Sequence, residues 1–130
     1  MSGHILIVDD NPINLKLASE VLLAGGYTVA VAVDAEDAQR LLAVCCPDLI
    51  LMDIALPGMD GLSLTRIIKA DPRLRQIPVV ALTAYAMRGD DLKAAEAGCE
   101  GYITKPIDTR TLVSQVAEVI CAARGRVPLP

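Results

Sequence analysis

Short apolar runs that each stop at a polar side chain are the feature of this sequence that most constrains its fold. Such runs, bounded by turn residues, are typical of buried strands in a parallel sheet. Ligands of open α/β sheets bind beyond the carboxyl ends of the strands, so the side chains that follow the runs are predicted to gather at one sheet edge. These side chains are Asp9 and Asp10 after 5–8, Asp53 after 49–52, Thr83 after 79–82, and Lys105 after 101–104.

Strand signals alternate with helix signals along the chain. Five strands are predicted over about 4–8, 28–33, 48–52, 79–82 and 101–104, and five helices over about 12–24, 35–44, 62–70, 90–98 and 109–123. Alternation of this kind is typical of βαβ units with right-handed crossovers, which place helices on both faces of the sheet. The sequence therefore predicts a single α/β domain with a doubly wound parallel sheet.

The first helix carries the clearest local signals. Asn11 can cap it, and Pro12 suits its first position, where a missing N–H costs nothing. Asp34 and Asp108 are predicted to cap the second and fifth helices in the same way. The predicted buried face of the first helix consists of Ile13, Leu17, Val21 and Leu22, and Gly25-Gly26 end it.

Composition excludes several classes of function. At 130 residues and 53% hydrophobic content, the chain has the size and apolar content of one well-packed domain. Its formal net charge of −4 gives no basic surface for nucleic acid, and three Tyr without Phe or Trp leave little for base stacking. No apolar stretch reaches the ~18 residues of a membrane span, and we expect no signal peptide before the first strand. We therefore expect a cytoplasmic domain that binds neither nucleic acid nor membranes.

The four cysteines and the single histidine form no recognisable metal or redox motif. Cys45 and Cys46 are adjacent, which disfavours a strain-free disulfide, and no Cys-x-x-Cys occurs. We expect these two residues, Cys99 and Cys121 to be reduced and structural, and His4 to be a surface residue.

The aspartates at the strand ends predict a different kind of site when they are considered together than when each is considered alone. An isolated aspartate at the end of a strand is most often a turn or helix cap, and Thr83 or Lys105 alone fits a turn or a surface position. Three carboxylates at one rim, however, repel each other by roughly 3 kcal/mol per pair at ~5 Å and an effective dielectric near ~20. Bound Mg²⁺ would offset that repulsion. An ammonium and a hydroxyl at the same rim suit a phosphoryl group.

Taken in order, these residues resemble the response-regulator receiver domain of two-component signalling. The resemblance covers about residues 4–123, so we expect a receiver domain over 1–123 and a short tail over 124–130. It implies a flavodoxin-like (βα)5 fold with strand order 2-1-3-4-5. The matching residues are Asp9 and Asp10, Asp53 with the run Pro57-Gly58-Met59-Asp60-Gly61, Thr83 with Ala84, and Lys105 with Pro106.

The resemblance also implies a role for each site residue. Asp53 is the expected phosphoacceptor, and Lys105 is expected to pair with the phosphoryl oxygens. Thr83 and the backbone N–H of Ala84 are expected to bind another phosphoryl oxygen. The expected Mg²⁺ ligands are Asp10, Asp53 and the backbone carbonyl of Ala55, with Asp9 acting largely through bound water.

A conformational switch and protein partners follow from the same resemblance. Thr83 is expected to move toward the phosphoryl group while Tyr102 rotates inward, although Tyr102 also fits a half-buried strand position. The expected phosphodonor is a sensor histidine kinase or a histidine phosphotransfer protein. The expected output is a downstream protein that binds the face formed by the fourth helix, the fifth strand and the fifth helix, including Lys93.

Among receivers, the chain most resembles single-domain cell-cycle regulators and the receivers of hybrid kinases. A free-standing regulator and a receiver excised from a larger protein both stay open. In either case the resemblance implies a signalling phosphoacceptor and not an enzyme. Self-dephosphorylation is expected to be slow, because Ala55 and Tyr85 offer no acid or amide to orient an attacking water.

Two other classes of protein are weighed as alternatives. A haloacid-dehalogenase-like phosphatase also has an Asp nucleophile at a strand end with Mg²⁺, but it needs a second acid two residues later, where this chain has Ala55. A flavin-binding flavodoxin-like module needs a Ser/Thr-rich phosphate loop after the first strand. This chain has the acidic run 9–12 there, which repels phosphate in the absence of a metal.

Overall fold

Strands and helices alternate through residues 3–56, 58–83 and 90–125, the parts of the chain that the computed structural model describes. The strands are β1 His4–Val8, β2 Thr28–Ala32, β3 Leu49–Asp53, β4 Val79–Thr83 and β5 Gly101–Thr104. The helices are α1 Pro12–Ala24, α2 Ala35–Leu42, α3 Gly61–Ala70, α4 Asp90–Ala97 and α5 Leu112–Gly125. The predicted order of elements is confirmed, with element ends that differ by up to three residues.

The five strands form one parallel sheet in the order β2-β1-β3-β4-β5, so the predicted doubly wound fold is confirmed. Helices cover both of its faces, because one apolar cluster includes residues of α1 and α5 and the other includes residues of α2 and α3. β3 lies between β1 and β4, and all five of its residues are buried. The polar end of this strand therefore lies at the centre of the sheet edge.

Helix α1 begins as predicted, but its buried face matches the predicted one only in part. Asn11 Oδ1 accepts hydrogen bonds from the backbone N–H groups of Ile13 at 2.9 Å and Asn14 at 3.4 Å. Ile13 itself is 75% exposed, so its assignment to the core was wrong. The buried positions are Leu15, Ala18 and Leu22, while Leu17 and Val21 are partly buried at the margin of the core. Apolar residues occupy so much of the helix surface that both spacings fit the helical period.

Helix α5 begins three residues later than predicted, because Asp108 caps a turn before it. The backbone N–H of Arg110 donates to Asp108 Oδ1 at 2.9 Å, and Leu112 N donates to the Asp108 carbonyl at 3.1 Å. The hydrogen bond from Arg110 N lowers the pKa of the exposed Asp108 carboxyl. The division into a domain over 1–123 and a tail over 124–130 stays a prediction, and residues 126–130 lie outside the described residues.

No helix in the described ranges is long and apolar enough to span a membrane.

The cysteines are free, as predicted, but their environments differ. Cys45, Cys46 and Cys121 are exposed, whereas Cys99 is only partly accessible. Burial raises the pKa of the Cys99 thiol to about 11, although a hydrogen bond with Thr65 opposes the shift. The thiolate is the reactive form, so Cys99 is expected to be the least reactive cysteine in the folded protein.

This difference predicts two phases of alkylation in the folded protein. At pH 8, a thiol with a pKa near 11 is only about 0.1% thiolate, so three thiols should react with iodoacetamide before Cys99 does. Mass spectrometry of tryptic peptides over time measures the order. The Cys99→Ser variant should lose the slow phase and keep the fast one. Equal rates for all four cysteines in the folded wild type would contradict the assigned environment.

Candidate functional site

The side chains that follow the strands meet at the carboxyl edge of the sheet, as the sequence predicted. Asp53 is the last residue of β3 and Thr83 the last residue of β4, and Asp9 directly follows β1. Asp9, Asp10 and Asp53 each place one carboxylate oxygen within 4.8 Å of the others. Asp9, Asp53 and Thr83 are buried, whereas Asp10 is exposed. The site is therefore buried at Asp9, Asp53 and Thr83 and open to solvent at Asp10.

Backbone N–H groups fix the two buried carboxylates. Asp9 Oδ1 accepts from the N–H of Asn11 at 2.9 Å, and Asp53 Oδ1 accepts from the N–H of Ala55 at 2.9 Å. Each donor lies two residues after its acid, so the turn that leaves the strand also orients the side chain. In both residues the second oxygen, Oδ2, is available to other groups.

Lys105 reaches both of these second oxygens. Its Nζ lies 3.1 Å from Asp53 Oδ2 and 3.3 Å from Asp9 Oδ2. Burial alone would lower the pKa of Lys105, but the hydrogen bond and charge of Asp53, together with Asp9, outweigh it and raise this pKa. Burial raises the pKa of Asp9 above its usual range, and the nearby charge of Asp53 adds to that effect. The backbone holds the lysine here, because Lys105 N donates to the Thr83 carbonyl at 2.7 Å.

The donor set fits a divalent cation. Asp9 Oδ2 is buried and accepts no hydrogen bond from the described residues, so the Lys105 ammonium leaves this oxygen incompletely paired. At 4.8 Å, each pair of the three carboxylates repels by about 3 kcal/mol at an effective dielectric of ~20. Carboxylate oxygens are the ligands that Mg²⁺ and Ca²⁺ prefer. Asp9, Asp10 and Asp53 can therefore hold a metal ion.

Other predicted site residues have a less complete description. Ala55 is exposed in the turn after β3, where its N–H is used by Asp53, and the role of its carbonyl stays a prediction. Ala84 and Tyr85 lie outside the described residues. Tyr102 lies in β5 opposite Ala81 and is 44% exposed. Its rotation, and the movement of Thr83, stay predictions.

Gly61 is a site residue to which the sequence analysis gave no role. A Cβ at this position would lie 2.1 Å from the carbonyl oxygen of Asp53 and 2.8 Å from Ile54 Cα. Asp60 caps α3 by accepting from Ser63 N at 2.8 Å, which starts the helix directly against the backbone of Asp53. The sequence signal for this close contact was a glycine directly after a helix-capping aspartate, in the motif that follows Asp53.

Comparisons with known proteins agree with this geometry. The profile of the response regulator receiver domain matches residues 5–117. The polar-differentiation response regulator DivK of Brucella ovis is 41% identical over 116 residues, which cover 89% of this chain and 94% of DivK.

Solved structures show the same likeness. The receiver domain of a signal transduction histidine kinase from Syntrophus aciditrophicus is 34% identical, with a TM-score of 0.86 over 98% of this chain and 97% of that one. A CheY-like receiver domain protein from Methanospirillum hungatei is 27% identical, with a TM-score of 0.88 over 98% of this chain and 100% of that one.

The site predicts that Mg²⁺ stabilises the folded protein. An ion that binds only the folded state adds roughly 1.4 kcal/mol to the unfolding free energy at ten times its dissociation constant. Asp10→Asn removes one of the three like charges, so it should raise metal-free stability by up to about 1 kcal/mol and weaken the Mg²⁺ effect. Thermal unfolding with EDTA and with Mg²⁺ measures both changes. A wild-type melting temperature that is indifferent to Mg²⁺ would contradict a metal site.

Proposed function

Because the chain belongs to the response regulator receiver domain family, we propose that Asp53 is its phosphoacceptor and that Mg²⁺ is its metal ion. As a family member, the protein is a signalling phosphoacceptor and not an enzyme, which removes the phosphatase alternative. The proposed donor is the phosphohistidine of a sensor histidine kinase or of a histidine phosphotransfer protein. The observation that carries the proposal is the position of Asp53 at the end of the central strand, in contact with Lys105 and within 4.8 Å of the other two acids.

The second oxygen of the Asp53 carboxylate, Oδ2, is the proposed nucleophile. The N–H of Ala55 holds Oδ1, which leaves Oδ2 to attack phosphorus. A bond forms between this oxygen and phosphorus, and the bond from phosphorus to the donor's imidazole nitrogen breaks, so the imidazole leaves with the electron pair. Transfer of this kind depends on positioning and charge neutralisation more than on covalent help. The fixed carboxylate supplies the positioning.

Lys105 and the metal supply the neutralisation. Lys105 Nζ already contacts Asp53 Oδ2, so it lies beside the oxygen to which the phosphoryl group would attach. Asp10, Asp53 and the Ala55 carbonyl would hold Mg²⁺, with Asp9 acting largely through water, and the bound ion would neutralise phosphoryl oxygens. Thr83, at the end of β4, and the Ala84 N–H would bind a further phosphoryl oxygen.

The proposed output is a change in a protein-binding face formed by α4, β5 and α5. Movement of Thr83 toward the phosphoryl group would free space for Tyr102 to rotate inward from its exposed position. Leu92 on α4 is 67% exposed and Tyr102 on β5 is 44% exposed, so both elements offer apolar surface to a partner. The proposed partner is a downstream protein.

Phosphorylation is expected at Asp53 alone. Incubation with acetyl phosphate and Mg²⁺ should add one phosphoryl group to the wild type and none to Asp53→Asn, because Asp53 is the one of the three acids that ends the central strand β3, with Lys105 Nζ 3.1 Å from its Oδ2. Intact-mass spectrometry measures the addition. Asp60→Asn is the matched control, since Asp60 is exposed and caps α3, and it should be labelled like the wild type. Wild-type labelling of Asp53→Asn would refute the assignment.

Hydrolysis of the phosphoryl group is expected to be slow. In receivers, the residues two positions after the phosphoacceptor and two after the threonine flank the approach of water. In this chain they are Ala55, which has no side-chain group to orient a water, and Tyr85, whose side chain is bulky. Because positioning is worth several powers of ten in rate, the double variant Ala55→Asn with Tyr85→Glu should lose its label faster. The assay follows decay of purified phosphoprotein in excess Mg²⁺ after kinase removal. Decay within seconds in the wild type, or an unchanged rate in the double variant, would contradict this role.

A further inference from the structure

One lysine of α3, at the edge of the sheet opposite the site, binds two other segments of the chain. Lys69 lies in the last turn of α3, and its Nζ donates to Glu100 Oε1 at 2.6 Å, to the Ile77 carbonyl at 2.8 Å and to the Arg75 carbonyl at 3.1 Å. All three donor positions of the ammonium are therefore used. The acceptors lie in the turn before β4 and at the entrance of β5, so one side chain connects α3 to both strands.

Glu100 completes this connection. Its second oxygen, Oε2, accepts from Val79 N at 2.6 Å, and its backbone N–H donates to the Val79 carbonyl at 2.9 Å. The Lys69 and Glu100 side chains are only 17% and 19% exposed, so solvent screens their attraction less than that of a surface pair. We call Lys69, Glu100 and Val79, with their mutual bonds, the basal clamp.

The end of α4 rests on the same lysine. Gly98 has a φ of +107°, a conformation that favours glycine, and a Cβ there would lie 2.8 Å from Lys69 Cγ. Cys99 N then donates to the Ala94 carbonyl at 2.9 Å and closes the end of the helix. The basal clamp therefore holds the C-terminal end of α4 as well as the starts of β4 and β5.

The opposite ends of β4 and β5 carry the reacting groups. Thr83 ends β4 and Lys105 follows β5, and Lys105 N donates to the Thr83 carbonyl there. Lys105 is shared between two carboxylates, so its partners can exchange when a phosphoryl group arrives. At the site end of β4 and β5, the contacts of Lys105 can therefore change. At the other end, the Lys69 ammonium already uses all of its donors.

We propose that the basal clamp is a fixed pivot, which confines the response to phosphorylation to the site end of β4, β5 and α4. The pivot rests on the proposed function, because the response begins at Asp53. With their far ends held by the basal clamp, α4 and β5 would tilt when Thr83 and Lys105 are displaced. A small displacement at the site would then change the orientation of the exposed face that α4 and β5 form. Without the clamp, the same displacement would spread through the strands and loosen their starts.

The test compares residue-resolved amide exchange by NMR with and without Mg²⁺ and beryllium fluoride, a stable stand-in for the phosphoryl group. In the wild type, exchange should change near Thr83 and Lys105 but by less than about twofold at Cys99, Glu100 and Gly101. Lys69→Met keeps an unbranched stem beneath Gly98 but removes the ammonium. In this variant, beryllium fluoride should change exchange at the same three amides by about tenfold or more.

Two further variants make the result decisive. Glu100→Gln keeps an acceptor for Val79 N but removes the charge, and it should behave like Lys69→Met. Arg40→Met removes the cation of the Arg40–Asp37 pair on α2 and should behave like the wild type. A response that already reaches the strand starts in the wild type, or that stays confined in both clamp variants, would overturn the pivot. Absence of any response near Asp53 in the wild type would instead overturn the proposed function.

Discussion

The site depends on one ammonium that holds two buried carboxylates at the centre of a parallel sheet. Lys105 contacts both Asp9 and Asp53. Both acids are too deeply buried for water to screen their charges. Buried charges of one sign are tolerated only when a partner offsets their desolvation and repulsion. With three carboxylates and one lysine, the offset is incomplete, as the raised pKa of Asp9 indicates. The remaining negative charge would favour a bound cation at this rim.

Backbone geometry makes this arrangement rigid before any ligand binds. The N–H of Asn11 fixes Asp9 and the N–H of Ala55 fixes Asp53, so each turn at a strand end also sets a side-chain rotamer. Gly61 allows α3 to start in direct contact with the backbone of Asp53, where any Cβ would collide. A preorganised nucleophile costs little reorganisation during the reaction, which is how positioning contributes to phosphoryl transfer. The sheet thus fixes the positions of the carboxylates, and the charges of the carboxylates and Lys105 determine what the site can bind.

Patterns along the chain predicted the sheet and the gathering of site residues, because both follow from strand ends that the sequence marks. Contacts between distant segments were harder to predict. Lys105 was expected to face a phosphoryl group, and its pairing with Asp9 and Asp53 becomes visible only when three strands lie side by side. The ion pair of Lys69 with Glu100 joins residues 31 positions apart and carries no local signal. Ile13 was placed in the core because the helical period does not decide which side of a broadly apolar helix meets the sheet.

The most direct test of the account is a crystal structure of the protein with Mg²⁺ and beryllium fluoride. The account predicts one metal ion bound by Asp10 and Asp53 with the Ala55 carbonyl. It also predicts beryllium bonded to the Asp53 oxygen that faces Lys105, and Lys105 Nζ in contact with a fluorine atom. Beryllium bonded to another carboxylate, or a metal ion bound away from Asp10 and Asp53, would contradict the central claim that this rim is built for phosphoryl transfer to Asp53.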